Sequence, residues 1–133
     1  MVFEIDNVEL YFKDKRILNG IYLKAEIVTI TSVLGSNGCG KSCLLNIIFG
    51  TLKGKYKLVR LNGQILKTDL FKTNKAAFLP QYHFVPNHAK VINIFNLFKV
   101  KWDDFATEFE AFSKFKHFKF NKLSGGERRV IEI

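Results

Sequence analysis

One glycine-rich segment of the chain carries the residue types that bind phosphate. It reads Gly35-Ser36-Asn37-Gly38-Cys39-Gly40-Lys41-Ser42 and fits the pattern of Gly, four residues, Gly, Lys, then Ser or Thr. The glycines allow the backbone to curl so that successive N–H groups point inward around an anion. We expect Lys41 to reach the β- and γ-phosphates of a nucleotide and the Ser42 hydroxyl to bind Mg²⁺. Residues 35–42, called the phosphate loop below, therefore predict a nucleotide site.

The segments that flank the phosphate loop predict a strand before it and a helix after it. Residues 27–34 are an apolar, β-branched run typical of a buried strand, and residues 43–49 have the length and apolar spacing of a buried helix. The helix would add unpaired N–H groups and its positive dipole end to the anion site. A plain glycine-rich turn is the alternative, and the strand–loop–helix context favours phosphate binding over it.

A second glycine pair lies near the end of the sequence. Leu123-Ser124-Gly125-Gly126-Glu127 is followed by Arg128-Arg129. Ser124, Gly125 and Gly126 precede a predicted helix start, so they offer a hydroxyl and free N–H groups at a positive dipole end. A helix cap without a ligand is the alternative interpretation.

Composition limits the class of protein. The 133 residues suit one domain, and 47% hydrophobic residues with 14 Phe are enough for a core. No apolar run has the length of a membrane span, and acidic residues stand where a signal peptide carries bases, so we expect an intracellular protein. Cys39 and Cys43 predict reduced thiols rather than a disulfide framework.

The net charge of +9 is concentrated in one segment. Residues 53–75 contain seven Lys and Arg residues against Asp69 alone. Such a surface could meet nucleic acid or acidic lipid headgroups. A solvated basic face is the favoured interpretation, because charge alone reports solubility and non-specific affinity.

The remaining pattern predicts strands first and helices later. Strands are expected over 2–10 and 17–24, with a bulge or tight turn at Asn19-Gly20, and over 76–79. A hairpin is expected from 56–61 and 64–66 around Asn62-Gly63. Helices are expected over 91–100 and 102–118. The second places aromatic residues at steps of three and four, which favours a core stripe over a ligand site.

The two glycine motifs together carry a family resemblance. Residues 123–129 are similar to the signature sequence of ATP-binding cassette (ABC) proteins, and the phosphate loop lies upstream of them. The chain therefore resembles the nucleotide-binding domain of an ABC transporter. The resemblance implies an α/β fold of the P-loop NTPase type, with a mostly parallel sheet, an antiparallel β-subdomain and a helical subdomain.

The resemblance also implies how the chain is divided. Residues 1–133 would form a partial nucleotide-binding domain that lacks the C-terminal part of the family's fold. Its parts would be the core with the phosphate loop (1–54 and 76–81), the antiparallel β part (55–75), the helical subdomain (82–122) and the signature motif with the start of its helix (123–133).

Residue roles follow from the same resemblance. Phe12 occupies the position of the aromatic residue that stacks on adenine, with Tyr11 as the fallback. Cys43 extends the nucleotide-binding loop at a position where a second Thr is usual. Gln81 matches the glutamine that contacts Mg²⁺ and the attacking water, which makes it the catalytic candidate. Ser124, with Gly125 and Gly126, would cap ATP held by Lys41 of another subunit in a head-to-tail dimer.

The implied function is ATP binding coupled to transport. ATP and Mg²⁺ are the expected cofactors, a separate membrane permease is the expected partner, and nucleic acid is not expected. The location would be cytoplasmic, on the inner face of the membrane. The family's Walker B aspartate, catalytic glutamate and switch histidine have no counterpart here, and His83, His88 and His117 are expected at the surface, so the chain alone is not expected to hydrolyse ATP. The alternatives are a soluble ABC ATPase acting on ribosomes or nucleic acid, and a nucleotide-binding module without turnover.

Overall fold

Two long strands at the start of the chain pair with each other. In the computed structural model, which describes residues 1–133, β1 (Val2–Phe12) runs antiparallel to β2 (Lys15–Glu26). Both predicted strands are confirmed, and both extend further than predicted. Val8 pairs with Ile21 and Leu10 with Leu18, so β2 carries one more residue than β1 between these pairs. The bulge predicted at Asn19-Gly20 is therefore confirmed.

A hairpin completes the sheet. Strands β3 (Tyr56–Leu61) and β4 (Gln64–Ile65) give the strand order β2-β1-β3-β4, and every neighbouring pair is antiparallel. Asn62 and Gly63 have φ of 50° and 77°, as both central residues of a type I′ turn require. The predicted hairpin is confirmed. It forms here because Asn and Gly tolerate this left-handed backbone.

Helix α1 (Lys41–Phe49) covers one face of this sheet. Its buried residues Leu44 and Ile47 pack with strand residues into one core cluster, whose other buried members are Ile5, Val8, Leu10, Leu18 and Val59. The helix ends at Gly50, whose N–H donates to the Asn46 carbonyl. The predicted helix 43–49 is confirmed and begins two residues earlier. A 3-10 helix follows the hairpin at Leu70–Lys72.

Two strands of the predicted sheet do not form. Residues 27–34 and 76–79 lie outside every strand, and Val28 and Ile30 are 97% and 96% exposed. The prediction of buried strands here was wrong, because a β-branched run forms a strand only when a neighbouring strand takes its hydrogen bonds. No strand of this structure pairs with either segment. The sheet is therefore antiparallel throughout, whereas a mostly parallel sheet was predicted.

Two compact units are distinguished along the chain, Met1–Phe78 and Leu79–Ile133. The second is helical, with α2 (Val91–Leu97), α3 (Trp102–Glu108) and α4 (Gly125–Glu132) and the 3-10 helices Glu110–Phe115 and Phe120–Lys122. Its core contains Val85, Val91, Phe95, Trp102, Phe115, Phe120 and Ile131. No helix of the chain combines the length and the apolar character needed to cross a membrane. The limits predicted for the core, β and helical parts stay a prediction.

The single helix predicted over 102–118 is interrupted. Its regular hydrogen bonding stops at Phe109, where φ is −119° and ψ is 65°, and a 3-10 helix follows. Phe109, Phe112, Phe115 and Phe118 are spaced by three residues, which matches the 3.0 residues per turn of a 3-10 helix better than the 3.6 of an α-helix. The core interpretation holds for the buried Trp102 and Phe115, whereas Phe109 and Phe118 are more exposed.

Candidate nucleotide-binding site

The phosphate loop leads directly into α1. The helix begins at Lys41, and Gly40 precedes it with a φ of 99°. The Leu44 N–H donates to the Gly40 carbonyl at 2.8 Å, which closes the first turn of the helix. The free N–H groups of this first turn and the positive end of the helix dipole therefore follow the loop, as an anion site requires.

Gly40 seats the loop on strand β2. A Cβ atom at Gly40 would lie 2.9 Å from Leu18 Cδ2 and 3.0 Å from Ile17 Cγ2, so a larger residue would force these side chains to shift. Its positive φ adds a second requirement for glycine. Strand β2 of the antiparallel sheet therefore positions the loop. The sequence did not indicate this contact.

Lys41 turns its side chain back into the loop. Its Nζ atom donates to the carbonyls of Gly35 at 2.8 Å and Ser36 at 2.7 Å, and it lies 3.8 Å from Cys39 Sγ. The ammonium group is therefore held at the centre of the loop by acceptors that a phosphate oxygen could replace. Cys39 is exposed and Cys43 partly buried, and both are free thiols, as predicted.

The two aromatic candidates for adenine stacking differ in their surroundings. Tyr11 has Lys55 Nζ at 4.8 Å and the Arg16 guanidinium at 5.5 Å from its ring centroid. Phe12 is 51% exposed and pairs across the sheet with Lys15. Lys15 lies two residues before Ile17 on β2, about 7 Å along the strand from the contact with Gly40. Phe12 is thus the more accessible ring near the loop.

The second glycine motif forms the start of α4. Ser124 is the N-cap residue: its Oγ accepts from the Glu127 N–H at 3.3 Å, and Glu127 Oε2 accepts from the Ser124 N–H at 2.7 Å. This reciprocal pair is a capping box, and the hydrogen bonds from Ser124 lower the pKa of Glu127. The predicted helix start is confirmed. Gly125 and Gly126 are exposed in the first turn.

Gln81 belongs to the same unit as the capping box. Its carbonyl accepts from Arg129 Nη2 at 3.1 Å, and the Pro80 carbonyl accepts from the same nitrogen. The first unit thus groups Phe12 with residues 35–43, and the second groups Gln81 with residues 124–126. Arg129 and the ion-pair network around it were missed from the sequence. The nucleotide roles of all these residues stay predictions.

The comparison with protein families decides the affiliation of the chain. The ABC transporter family model matches residues 18–133. The chain belongs to the ABC transporter family. It is an ATP-binding cassette domain, as its two glycine motifs predicted, and proteins of this family bind ATP.

Two relatives of this cassette are described as import ATP-binding proteins. The chain is 28% identical over 142 residues to the spermidine/putrescine import ATP-binding protein of Spiroplasma citri, covering 99% of this chain and 41% of the relative. It is 31% identical over 132 residues to the zinc import ATP-binding protein of Photorhabdus laumondii, covering 96% of this chain and 48% of the relative. The chain thus spans less than half the length of these two relatives.

A solved ABC cassette has the same fold. The crystal structure of an ATP-binding cassette of an ABC transporter in its ADP conformation superposes with a TM-score of 0.75 at 22% identity. The match covers 98% of this chain and 62% of that one. The predicted α/β fold class of the P-loop NTPase type, with an antiparallel sheet subdomain, is confirmed by this likeness.

Proposed function

We propose that this ABC cassette binds MgATP through the phosphate loop and belongs to the ATP-binding subunit of a transporter. The observation that carries the proposal is the placement of the Lys41 ammonium, which is held against the Gly35 and Ser36 carbonyls beside the first turn of α1. A cation and a helix N-terminus at one point form an environment for the β- and γ-phosphates. On binding, phosphate oxygens would replace the two carbonyls as acceptors.

The other residues complete this proposed site. Ser42 would bind Mg²⁺ through its hydroxyl, and Gln81 would contact the same ion and the attacking water. Phe12 would stack on adenine, since its ring is more accessible than that of Tyr11. Cys43, in the first turn of α1, would lie beside the phosphates.

The proposed partners are a membrane permease and a second ABC domain. Support for the permease comes from the relatives described as import ATP-binding proteins. In a head-to-tail dimer, Ser124 with Gly125 and Gly126 of one subunit would cap the ATP bound at Lys41 of the other. ATP hydrolysis by the whole subunit, which this chain alone is not proposed to perform, would then be coupled to transport on the cytoplasmic face of a membrane.

The basic segment 53–75 gives little support to a nucleic-acid function. Lys57 pairs with Asp69 at 2.9 Å, and Arg60 lies 3.9 Å from Asp6, so part of the charge is neutralised within the chain. Lys55 makes a cation–π contact with the Tyr11 ring. The segment behaves as a partly paired face rather than an open row of cations.

The test is ATP binding by the wild-type chain, by Lys41→Ala and by Lys53→Ala. A charge-assisted hydrogen bond contributes about 1.5–3 kcal/mol, so Lys41→Ala should weaken MgATP binding by about 10- to 150-fold. Lys53→Ala removes the same charge from an exposed position outside the loop and should change the Kd by less than about twofold. Isothermal titration calorimetry measures both. Equal losses in the two variants would mean that only the overall charge matters and would refute the assignment of the loop.

A further inference from the structure

Arg129, in α4, binds the main chain at Gln81. Arg129 Nη2 donates to the carbonyls of Pro80 and Gln81, the latter at 3.1 Å. These acceptors lie 48 and 49 residues away in sequence, so the contact connects two distant segments of the second unit. The planar guanidinium suits this task, because its fixed fork of donors can engage several acceptors at once.

A buried carboxylate fixes the orientation of that arginine. The Glu132 side chain is fully buried, and its Oε2 atom lies 3.5 Å from Arg129 Nη1 and 2.9 Å from His83 Nδ1. Its Oε1 accepts from Arg128 Nε at 2.9 Å. Burial raises the pKa of Glu132, but the hydrogen bonds from His83 and Arg128 outweigh this and lower the pKa overall. The carboxylate is therefore charged at neutral pH and available to hold Arg129.

A second arginine attaches this network to the core of the unit. Arg128 is 8% exposed, and it donates to the Asn87 side chain and the Val85 carbonyl. Its guanidinium lies 5.5 Å from the centroid of the buried Phe120 ring. Because Arg128 also binds Glu132, the carboxylate has little freedom to move. The segment after Gln81 is thus fastened to α4 at several points.

We propose that Arg129 is a positioning residue that fixes Gln81 relative to the helix capped by Ser124. Arg129 lies five residues after Ser124, about 7.5 Å along α4. The contact would therefore hold the proposed Mg²⁺ ligand Gln81 at a set distance from the proposed ATP-capping Ser124. This inference rests on the proposed function, because it concerns how the Gln81 side chain is presented to Mg²⁺.

The expected consequence is specific to the metal. Partners that orient a metal ligand typically change metal affinity by about 10- to 100-fold when they are removed. ATP should bind more tightly in Mg²⁺ than in EDTA, and the ratio of the two affinities is the Mg²⁺ gain. Arg129→Ala should reduce this gain by about tenfold. ATP affinity in EDTA, which depends on the phosphate loop of the other unit, should stay within about twofold of the wild type.

The experiment compares the full chain with Arg129→Ala, Arg129→Lys, Gln81→Ala and Lys122→Ala, titrating each with ATP in Mg²⁺ and in EDTA. Lys122→Ala removes an exposed charge from the same unit and serves as the matched control. Hydrogen exchange of peptides covering 79–84 reports the main-chain contact, and it should accelerate in Arg129→Ala but not in the control. Trp102, the single tryptophan, is buried in this unit, and its fluorescence checks that each variant is folded.

Each outcome decides a different claim. If wild-type ATP binding gains nothing from Mg²⁺, the proposed function fails and the inference fails with it. If Gln81→Ala loses the Mg²⁺ gain but Arg129→Ala behaves like Lys122→Ala, the inference is overturned while the proposed function stands. If Arg129→Ala does not fold, Arg129→Lys decides: its single ammonium can reach one carbonyl, so partial loss of the Mg²⁺ gain supports the inference and an unchanged gain overturns it.

Discussion

Replacing Gly40 by alanine tests whether the sheet positions the phosphate loop. Two separate terms oppose this substitution. Alanine at a φ of 99° adopts a left-handed backbone at a cost of about 1–2 kcal/mol. Its Cβ would also lie 2.9 Å from Leu18 Cδ2 and 3.0 Å from Ile17 Cγ2, and overpacking of this kind costs about 1–3 kcal/mol. Gly40→Ala should therefore lower the free energy of unfolding by about 2–5 kcal/mol.

Gly63→Ala separates the two terms. Gly63 has a φ of 77° in the β3–β4 hairpin, and no atom lies within 4 Å of a Cβ built there. This variant should therefore lose only the backbone term of about 1–2 kcal/mol. Urea unfolding of both variants gives the difference. Gly40→Ala should in addition weaken ATP binding, and Gly63→Ala should not. Equal destabilisation would refute the argument that the loop is seated against β2.

Three further predictions concern the adenine, the capping box and an ion pair. Phe12→Ala should weaken ATP binding by about 1–3 kcal/mol but leave tripolyphosphate binding unchanged, because only ATP carries a base that can stack. Tyr11→Ala should affect the binding of neither ligand. Competition titrations measure both, and equal behaviour of the two variants would contradict the stacking role of Phe12. Ser124→Ala should cost about 1 kcal/mol of stability in thermal unfolding and weaken ATP-dependent dimerisation. Ser124→Asp should retain the stability, because aspartate also caps a helix. If the aspartate variant were equally unstable, loss of the cap would be excluded as the cause. The hydrogen bond from Lys57 lowers the pKa of Asp69, so the pair stabilises the fold above the ordinary carboxyl pKa of about 3.9, and that contribution is lost as pH falls through the lowered value. Asp69→Asn should thus cost less than about 1 kcal/mol at pH 7, and urea unfolding should show the difference shrinking below about pH 4; a constant difference would mean that the charge is not responsible.

Features determined by neighbouring residues could be predicted from the sequence. The glycine-rich turn before α1, the Asn62-Gly63 turn and the helix start at Ser124 depend on local backbone preferences and local hydrogen bonds. The bulge at Asn19-Gly20 belongs to the same class. Each was predicted at the residues where the structure has it.

Features that depend on distant partners could not be predicted. Residues 27–34 have the composition of a strand, but strand formation requires a hydrogen-bonding neighbour that composition does not reveal. The seat of Gly40 on β2 joins segments about 20 residues apart, and the contact of Arg129 with Gln81 joins segments 48 residues apart, so neither leaves a spacing pattern. Two adjacent arginines just after the capping box were the available signal for that contact.

The nucleotide site is tested most directly by locating bound nucleotide by NMR. Amide chemical shifts of the ¹⁵N-labelled chain would be recorded while MgATP is added, with Lys41→Ala as the control. We expect the largest shift changes at the amides of residues 36–42, with a smaller change at Phe12, and a loss of these changes in the variant. Binding with its largest changes elsewhere, or changes at the loop that persist without Lys41, would contradict the assignment of the phosphate loop as the nucleotide site.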